Sequence, residues 1–250
     1  MPCWVPNVLY PNGIADMLEA MLLTAKKTVS PTEGVLFLWD PLSATDLAGS
    51  SASVAYFSGA TADASYLIDG VGTISYPALG SGATITFQTP MDLTNRDFTV
   101  EWSAYYPGGS EEYSNEFAMY SGAGTNGLLS RHASAGFGNR IQFGTIFAQL
   151  ADCWNIAATK ASTTGVLNRY ALVCKDGQIT AFRNGIKQML ANGTGSTYNT
   201  ASIPSTGLTD LRAIRLGWLN STVVARIGRH GRIRITAEAL YTDDYTPEPF

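Results

Sequence analysis

The sequence predicts an all-β, antiparallel sandwich preceded by a short amino-terminal arm and one amphipathic helix. Three observations predict it. The 250 residues include 25 glycines and 12 tyrosines, and only 14% are charged. Glycine and small polar residues supply turns, and β-branched and aromatic residues suit a half-buried pleated surface. Short runs alternate between apolar and polar residues. The cleanest is 97–102, with Phe98, Val100 and Trp102 on one side and Thr99 and Glu101 on the other. Finally, Asn184-Gly185 is the strongest short-range hairpin signal in the chain.

Taken in order, Trp4, Pro6, Tyr10 and Pro11 mark an extended arm too apolar to be left in solvent. Asn12-Gly13 then precedes Ile14, Met17, Leu18, Met21 and Leu22, the i, i+3, i+4, i+7, i+8 stripe of an amphipathic helix. Lys26 and Lys27 suit the dipole at its end, and Pro31 forbids continuation. A helix this short is marginal alone in water, so it needs a packing partner, either its own sandwich or a neighbouring chain. Residues 34–39 form an apolar strand. Strand and turn then alternate: 54–57 before Gly59, 83–88 ended by Pro90, 97–102, 169–175, the hairpin 178–187, and 232–236 with Ile233 and Ile235 inward. Such spacing means a sandwich or barrel. The expected organisation is an arm and helix over 1–50, serving docking and assembly, and a sandwich over 51–250.

Charge is unevenly spread. Residues 1–125 hold three bases against thirteen acids and the remainder thirteen bases against seven acids, within a net charge of −4. In a sandwich the first and last strands usually meet, so this asymmetry predicts charge balance within the chain; the sharper reading pairs opposite faces of neighbouring copies. An acidic chain is a poor nonspecific ligand for nucleic acid, and none is expected as a partner. No stretch reaches the roughly 18–20 apolar residues that cross a bilayer, so no membrane insertion is expected. The start, Met1-Pro2-Cys3-Trp4, lacks a basic segment followed by an apolar one, which predicts synthesis and assembly in a cytoplasm. Cys3, Cys153 and Cys174 are widely spaced and odd in number, a pattern for neither zinc nor a disulfide scaffold.

Catalytic patterns are missing. Sandwich glucanases need closely spaced carboxylates on one strand, and no E-x-D-x-E run occurs. Glu111, Glu112 and Glu116, and Asp243-Asp244, read as solvated loop charge. His132 and His230 are the two histidines, and neither a G-x-S-x-G elbow nor a phosphate-binding loop is present. No enzymatic activity is expected.

Three segments resemble the laminin-G-like branch of the concanavalin A-like lectin–glucanase superfamily, in the versions found in tailed-bacteriophage virion proteins. The run 97–102, DFTVEW, is similar to the family's DFTIEFW strand. Asn168-Arg169-Tyr170-Ala171-Leu172-Val173, with Asp176-Gly177 and Phe182-Arg183-Asn184-Gly185, is similar to its W-x-H-x-A-x-x-R-D-G…Y-x-N-G segment. Gly231-Arg232-Ile233-Arg234-Ile235-Thr236, then Ala239-Leu240-Tyr241-Thr242 and Tyr245-Thr246-Pro247, is similar to the phage-type ending. The resemblance covers about residues 50–250 and implies a jelly-roll sandwich. Tyr170 replaces the family's usual histidine, and Arg232 stands where an acid-bearing IDD would lie. No cofactor is therefore expected, and calcium is not supported. The resemblance further implies a structural protein of the virion surface, either capsid decoration or a tail or fibre accessory. Its partners would be other virion proteins and copies of itself, a trimer among the arrangements considered. Trp4, Ile14, Met17, Leu18 and Met21 are the assembly candidates in the arm, and Arg226, Arg229, Arg232 and Arg234 those in the basic cluster. The alternative is a carbohydrate-binding module for host-surface glycan, with Trp154, Asn155, Tyr113 and Asn115 as candidates.

Overall fold

The computed structural model describes residues 34–49, 52–78, 80–107, 114–122, 127–132, 141–145, 153–155, 165–189, 191–192, 203–204, 208–217 and 227–250. The chain divides into two units, 1–33 and 34–250. The arm and helix expected over 1–31 lie outside the described residues, with Trp4, Ile14, Met17, Leu18 and Met21.

In chain order the strands are β1 (Val35–Asp40), β2 (Thr45–Asp46), β3 (Ala52–Phe57), β4 (Thr61–Ile68), β5 (Val71–Tyr76) and β6 (Gly82–Met91). β7 (Phe98–Tyr105), β8 (Ser114–Ser121), β9 (Gly127–His132), β10 (Ile141–Thr145), β11 (Cys153–Asn155) and β12 (Leu167–Lys175) follow. The last six are β13 (Gln178–Arg183), β14 (Ile186–Lys187), β15 (Ala191–Asn192), β16 (Ile203–Pro204), β17 (Leu211–Leu216) and β18 (Gly228–Thr236). All pairings are antiparallel. Sheet A has the path β14-β13-β12-β7-β18-β1-β2, with β5 also against β18, β4 against β5 and β16 against β13; sheet B runs β15-β11-β10-β9-β8-β17-β6-β3.

Alternation fills the space between the sheets. Phe98, Val100, Trp102 and Ala104 of β7, Tyr170 and Leu172 of β12, and Ile233 and Ile235 of β18 are buried from one side. Ile85 and Phe87 of β6, Phe117 and Met119 of β8, and Ile214 and Leu216 of β17 meet them from the other. Trp102 stacks on Phe117 across the gap at 4.6 Å between centroids and 10° between planes, and on its strand neighbour Tyr170 at 5.2 Å. Phe37 meets Phe87 edge-on at 5.1 Å. The aromatic pairs add to the burial that joins the layers. The hairpin at Asn184-Gly185 has φ of 50° and 78°, both left-handed as a type I′ turn requires. Position 185 also requires glycine for space, since an added Cβ would overlap the carbonyl oxygen of Tyr245.

Three boundaries differ from those the sequence predicts. The sandwich begins at Val35, because β1 pairs with β18 (Trp39 opposite Ile233), so residues 34–49 belong to it rather than to the appendage. Pro90 does not end its strand: β6 runs on to Met91. Proline, lacking an N–H, is tolerated there because the β6–β17 register shifts between Leu211 and Ala213. The last strand begins at Gly228, four residues before the expected 232–236, and after Thr236 residues 237–250 form an irregular strap.

Candidate functional site

The two sheets present very different outer faces. On sheet A, Thr99, Glu101 and Ser103 point away from the core yet are all buried. Two segments cover them. The strap is tied down by Thr99, whose hydroxyl donates to the Glu238 carbonyl (2.7 Å) and accepts the Leu240 amide (3.0 Å). Tyr241 donates its hydroxyl to Glu101 Oε1 (2.8 Å), while Arg234, opposite Glu101 in the β7–β18 register, donates Nε to Oε2 at 2.7 Å. Burial pushes the Glu101 carboxyl up, against the pull of Arg234 and Tyr241. Burial, reinforced by the Glu101 charge, raises Tyr241 far above an ordinary phenol. Tyr241 and Tyr245 stack at 3.5 Å and pack with Ala171, Val173 and Phe182 in a small outer core. Asp244 accepts the Lys187 amide at 2.8 Å, so this acid fastens the strap to β14.

The β4–β5 hairpin is the second cover. Asp69 at its tip pairs with Arg169 of β12, Asp63 pairs with Arg229 of β18, and Arg229 lies 4.6 Å from the centre of the Tyr66 ring. Hydrogen bonds from Ser65, then the Arg229 guanidinium, hold Asp63 down to about 2.

Four pairs run between the oppositely charged halves. Arg169–Asp69, Arg229–Asp63, Arg232–Asp40 and Arg234–Glu101 each join a base of the second half to an acid of the first. Three of the four arginines singled out as assembly candidates are therefore engaged within the chain. Arg234 is buried against Glu101, Arg232 reaches Asp40 (3.3 Å) and the Phe250 carbonyl (3.1 Å), and Arg229 holds the hairpin. Arg226 lies outside the described residues.

Among the described residues, none covers the outer face of sheet B over β3 and β6. Ser53, Ala55, Thr86 and Gln88 are exposed and Thr84 is half-buried. Strand register assembles three rows. The first runs Ser53–Thr86–Ala213–Tyr120–Gly127 and the second Ala55–Thr84–Arg215–Ala118–Leu129. Tyr120 packs against Ala118 and Leu129, and Arg215 lies 5.0 Å from the centre of its ring. The neighbours of Tyr120 across the strands are small on both sides, Ala213 and Gly127. Gly127 is fixed as glycine, because an added Cβ would overlap the Met119 carbonyl oxygen. An aromatic ring flanked by small residues, an arginine and hydroxyls is chemistry that can stack on a pyranose and read its hydroxyls.

The third row contains two of the four sequence-predicted glycan candidates. Asn115 lies opposite Arg131, Arg131 opposite Gln142, and Gln142 opposite Asn155. At about 4.8 Å per strand the row is roughly 14 Å long. Trp154 falls in the adjoining row, with Phe143, Ser130 and the buried Phe117. Tyr113 lies outside the described residues. Sequence reasoning missed Tyr120, Arg215, Thr84 and Thr86. Their signal was the alternation of Phe117-Ala118-Met119-Tyr120, which sends Tyr120 outward when Phe117 and Met119 are inward. No group of three or more His, Cys, Asp or Glu among the described residues could hold a metal ion. His230 is enclosed in the core beside Tyr76 and Tyr106.

This fold is that of an antiparallel, jelly-roll β-sandwich. Solved structures share it. The receptor-binding domain of botulinum neurotoxin D superposes with a TM-score of 0.55 at 10% identity, over 85% of this chain and 51% of that one. The binding domain of botulinum neurotoxin DC, solved in complex with rat synaptotagmin II, gives 0.58 at 11% identity, over 85% and 50%. Trypanosoma rangeli sialidase, solved with sialic acid, gives 0.56 at 15% identity, over 84% and 32%. The chain thus spans about half the length of the neurotoxin domains and a third of the sialidase, and at these identities the likeness is one of fold. No family model matches the chain, and no curated protein matches it in sequence.

Proposed function

We propose that this chain is a non-enzymatic, lectin-like binding protein of a tailed-bacteriophage virion that presents the outer face of sheet B to host-surface glycan. The observation that carries the binding reading is the contrast between faces. Sheet A is closed by the chain's own strap and hairpin, whereas on sheet B strand register sets the Tyr120 ring in line with the exposed hydroxyls of Ser53 and Thr86. The phage-type ending at 231–247 supports the virion setting, and the engaged carboxylates Glu101 and Asp63 support the absence of catalysis. Residues 1–33, with their apolar arm and helical stripe, supply the attachment segment to other virion proteins or to copies of the chain.

The test is binding of the purified full chain to host-surface polysaccharide, without virions, for wild type and Tyr120→Ala. Saturable binding lost in the variant supports the reading; equal binding by both forms, or none by either, sinks it. Immunogold labelling of particles tests the setting, and label absent from both head and tail removes the virion assignment.

A further inference from the structure

An edge strand exposes a row of N–H and C=O groups, and proteins blunt such edges by shortness, charge, proline or a bulge. The other described edges of this sandwich are blunted in those ways. β2, β14, β15 and β16 are each two residues long, with Asp46, Lys187 and Pro204 among them. β4 is longer, but it carries Asp63 and its register shifts between Asp63 and Ile68. β3 has none of these devices. Its six residues hold no charge and no proline, and they pair with β6 in unbroken register from Ala52 opposite Phe87 to Phe57 opposite Gly82. Among the described residues, nothing pairs with its other side.

We infer that the free edge of β3 is a self-association surface, where a second copy of this chain adds its own β3 antiparallel and the two eight-stranded sheets become one. The core is least finished at this edge. Among the described residues, Ala44, Ala52, Val54 and Tyr56 are four of the six partly buried apolar residues packed on the main core. Leu47 follows β2, which lies beside β3, and is 49% exposed. A strand added to β3 extends the inner face of the sheet and shelters Val54 and Tyr56.

The edge is its own complement. It has no charge with which to select a charged peptide, so hydrogen bonds and matched uncharged side chains must hold its occupant, and a second β3 supplies both. Face parity requires inward residues to meet inward residues, which puts a two-fold axis on Val54 or on Ala55. With the axis on Val54, Ser53 lies opposite Ala55 of the second copy; with it on Ala55, Val54 lies opposite Tyr56 of the second copy. The axis stands perpendicular to the sheet, so the outer faces of both copies point the same way. This association is independent of what that face binds.

The experiment measures the mass of the full chain by sedimentation equilibrium over a concentration series, for wild type and for Ser53→Lys/Ala55→Lys. Both positions are exposed, so the unfolding midpoint should not change. Wild type should form a dimer. The lysine variant should dissociate at least about tenfold more readily, because either register sets its lysines against each other across the axis. Ser53→Asp/Ala55→Asp should be weakened in the same way, and mixing the two variants should restore a dimer with one copy of each. A monomeric wild type overturns the inference, and so does a folded lysine variant that keeps the wild-type mass at every concentration. Hydrogen exchange of the wild-type chain gives a reading that needs no variant. The β3 amides should gain protection as the chain is concentrated, and a dimer formed without that gain overturns the assignment to β3.

Discussion

The outer faces of the two sheets carry similar residue types in different settings. On sheet A, arginines, tyrosines and hydroxyls are consumed internally: Arg234 and Tyr241 share Glu101, Thr99 bonds the strap on both sides, and Arg229 pins a hairpin. On sheet B, Arg215 lies over the ring of a half-buried Tyr120, which packs against Ala118 and Leu129, while Ser53 and Thr86 face solvent. A guanidinium or a phenol is therefore no marker of a site by itself. What decides its role is whether a segment from elsewhere in the chain lies over it. The strap and the β4–β5 hairpin do this for sheet A, which makes that sheet the scaffold.

The largest way to break the comparison is to open sheet A. Arg234→Ala strands the Glu101 carboxylate in a buried site, and should cost about 3–5 kcal/mol in denaturant unfolding. A loss below about 1 kcal/mol would mean that the strap does not seal this face. Tyr241→Phe removes one hydrogen bond to the same carboxylate while keeping the stack on Tyr245. It should lower stability by about 1–2 kcal/mol, measured the same way. Asp63 gives a smaller effect with a pH signature. Its folded value lies at about 2 against an ordinary 3.8, so its stabilisation is complete above 3.8 and is lost as pH falls towards 2. Stability curves of wild type and Asp63→Asn should separate above pH 3.8 and converge below pH 2. On sheet B, Thr86→Ala touches an exposed hydroxyl and should change stability by less than about 0.5 kcal/mol while weakening polysaccharide binding.

Much of the scaffold was legible in the sequence because it depends on local pattern. The parity of 97–102 placed Phe98, Val100 and Trp102 in the core, the isoleucines at 233 and 235 faced inward, and Asn184-Gly185 closed its hairpin. What pattern could not provide was pairing between distant residues. Glu101 and Tyr241 are 140 positions apart, and Asp63 and Arg229 are 166. The basic cluster at 229–234 looked like a surface because its acidic partners lie in the first half of the chain, although the opposite charge of the halves foretold that they meet. The site was half legible for the same reason. Asn115 and Asn155 were named, but only register shows that they share a row, and that Trp154 lies outside it. Tyr120 and Arg215 carried no motif and emerge only once β8 and β17 are side by side.

The most direct test of the division between faces places the same bulky side chain on each. Thr86→Trp projects from sheet B and Leu67→Trp from the hairpin that covers sheet A, both at exposed positions. Each full-length variant is titrated with the host-surface polysaccharide used for wild type in the binding test of the proposed function. Loss of binding by Thr86→Trp with wild-type affinity in Leu67→Trp is the predicted result. Loss in Leu67→Trp with Thr86→Trp unaffected would place the ligand on the covered face and contradict the account.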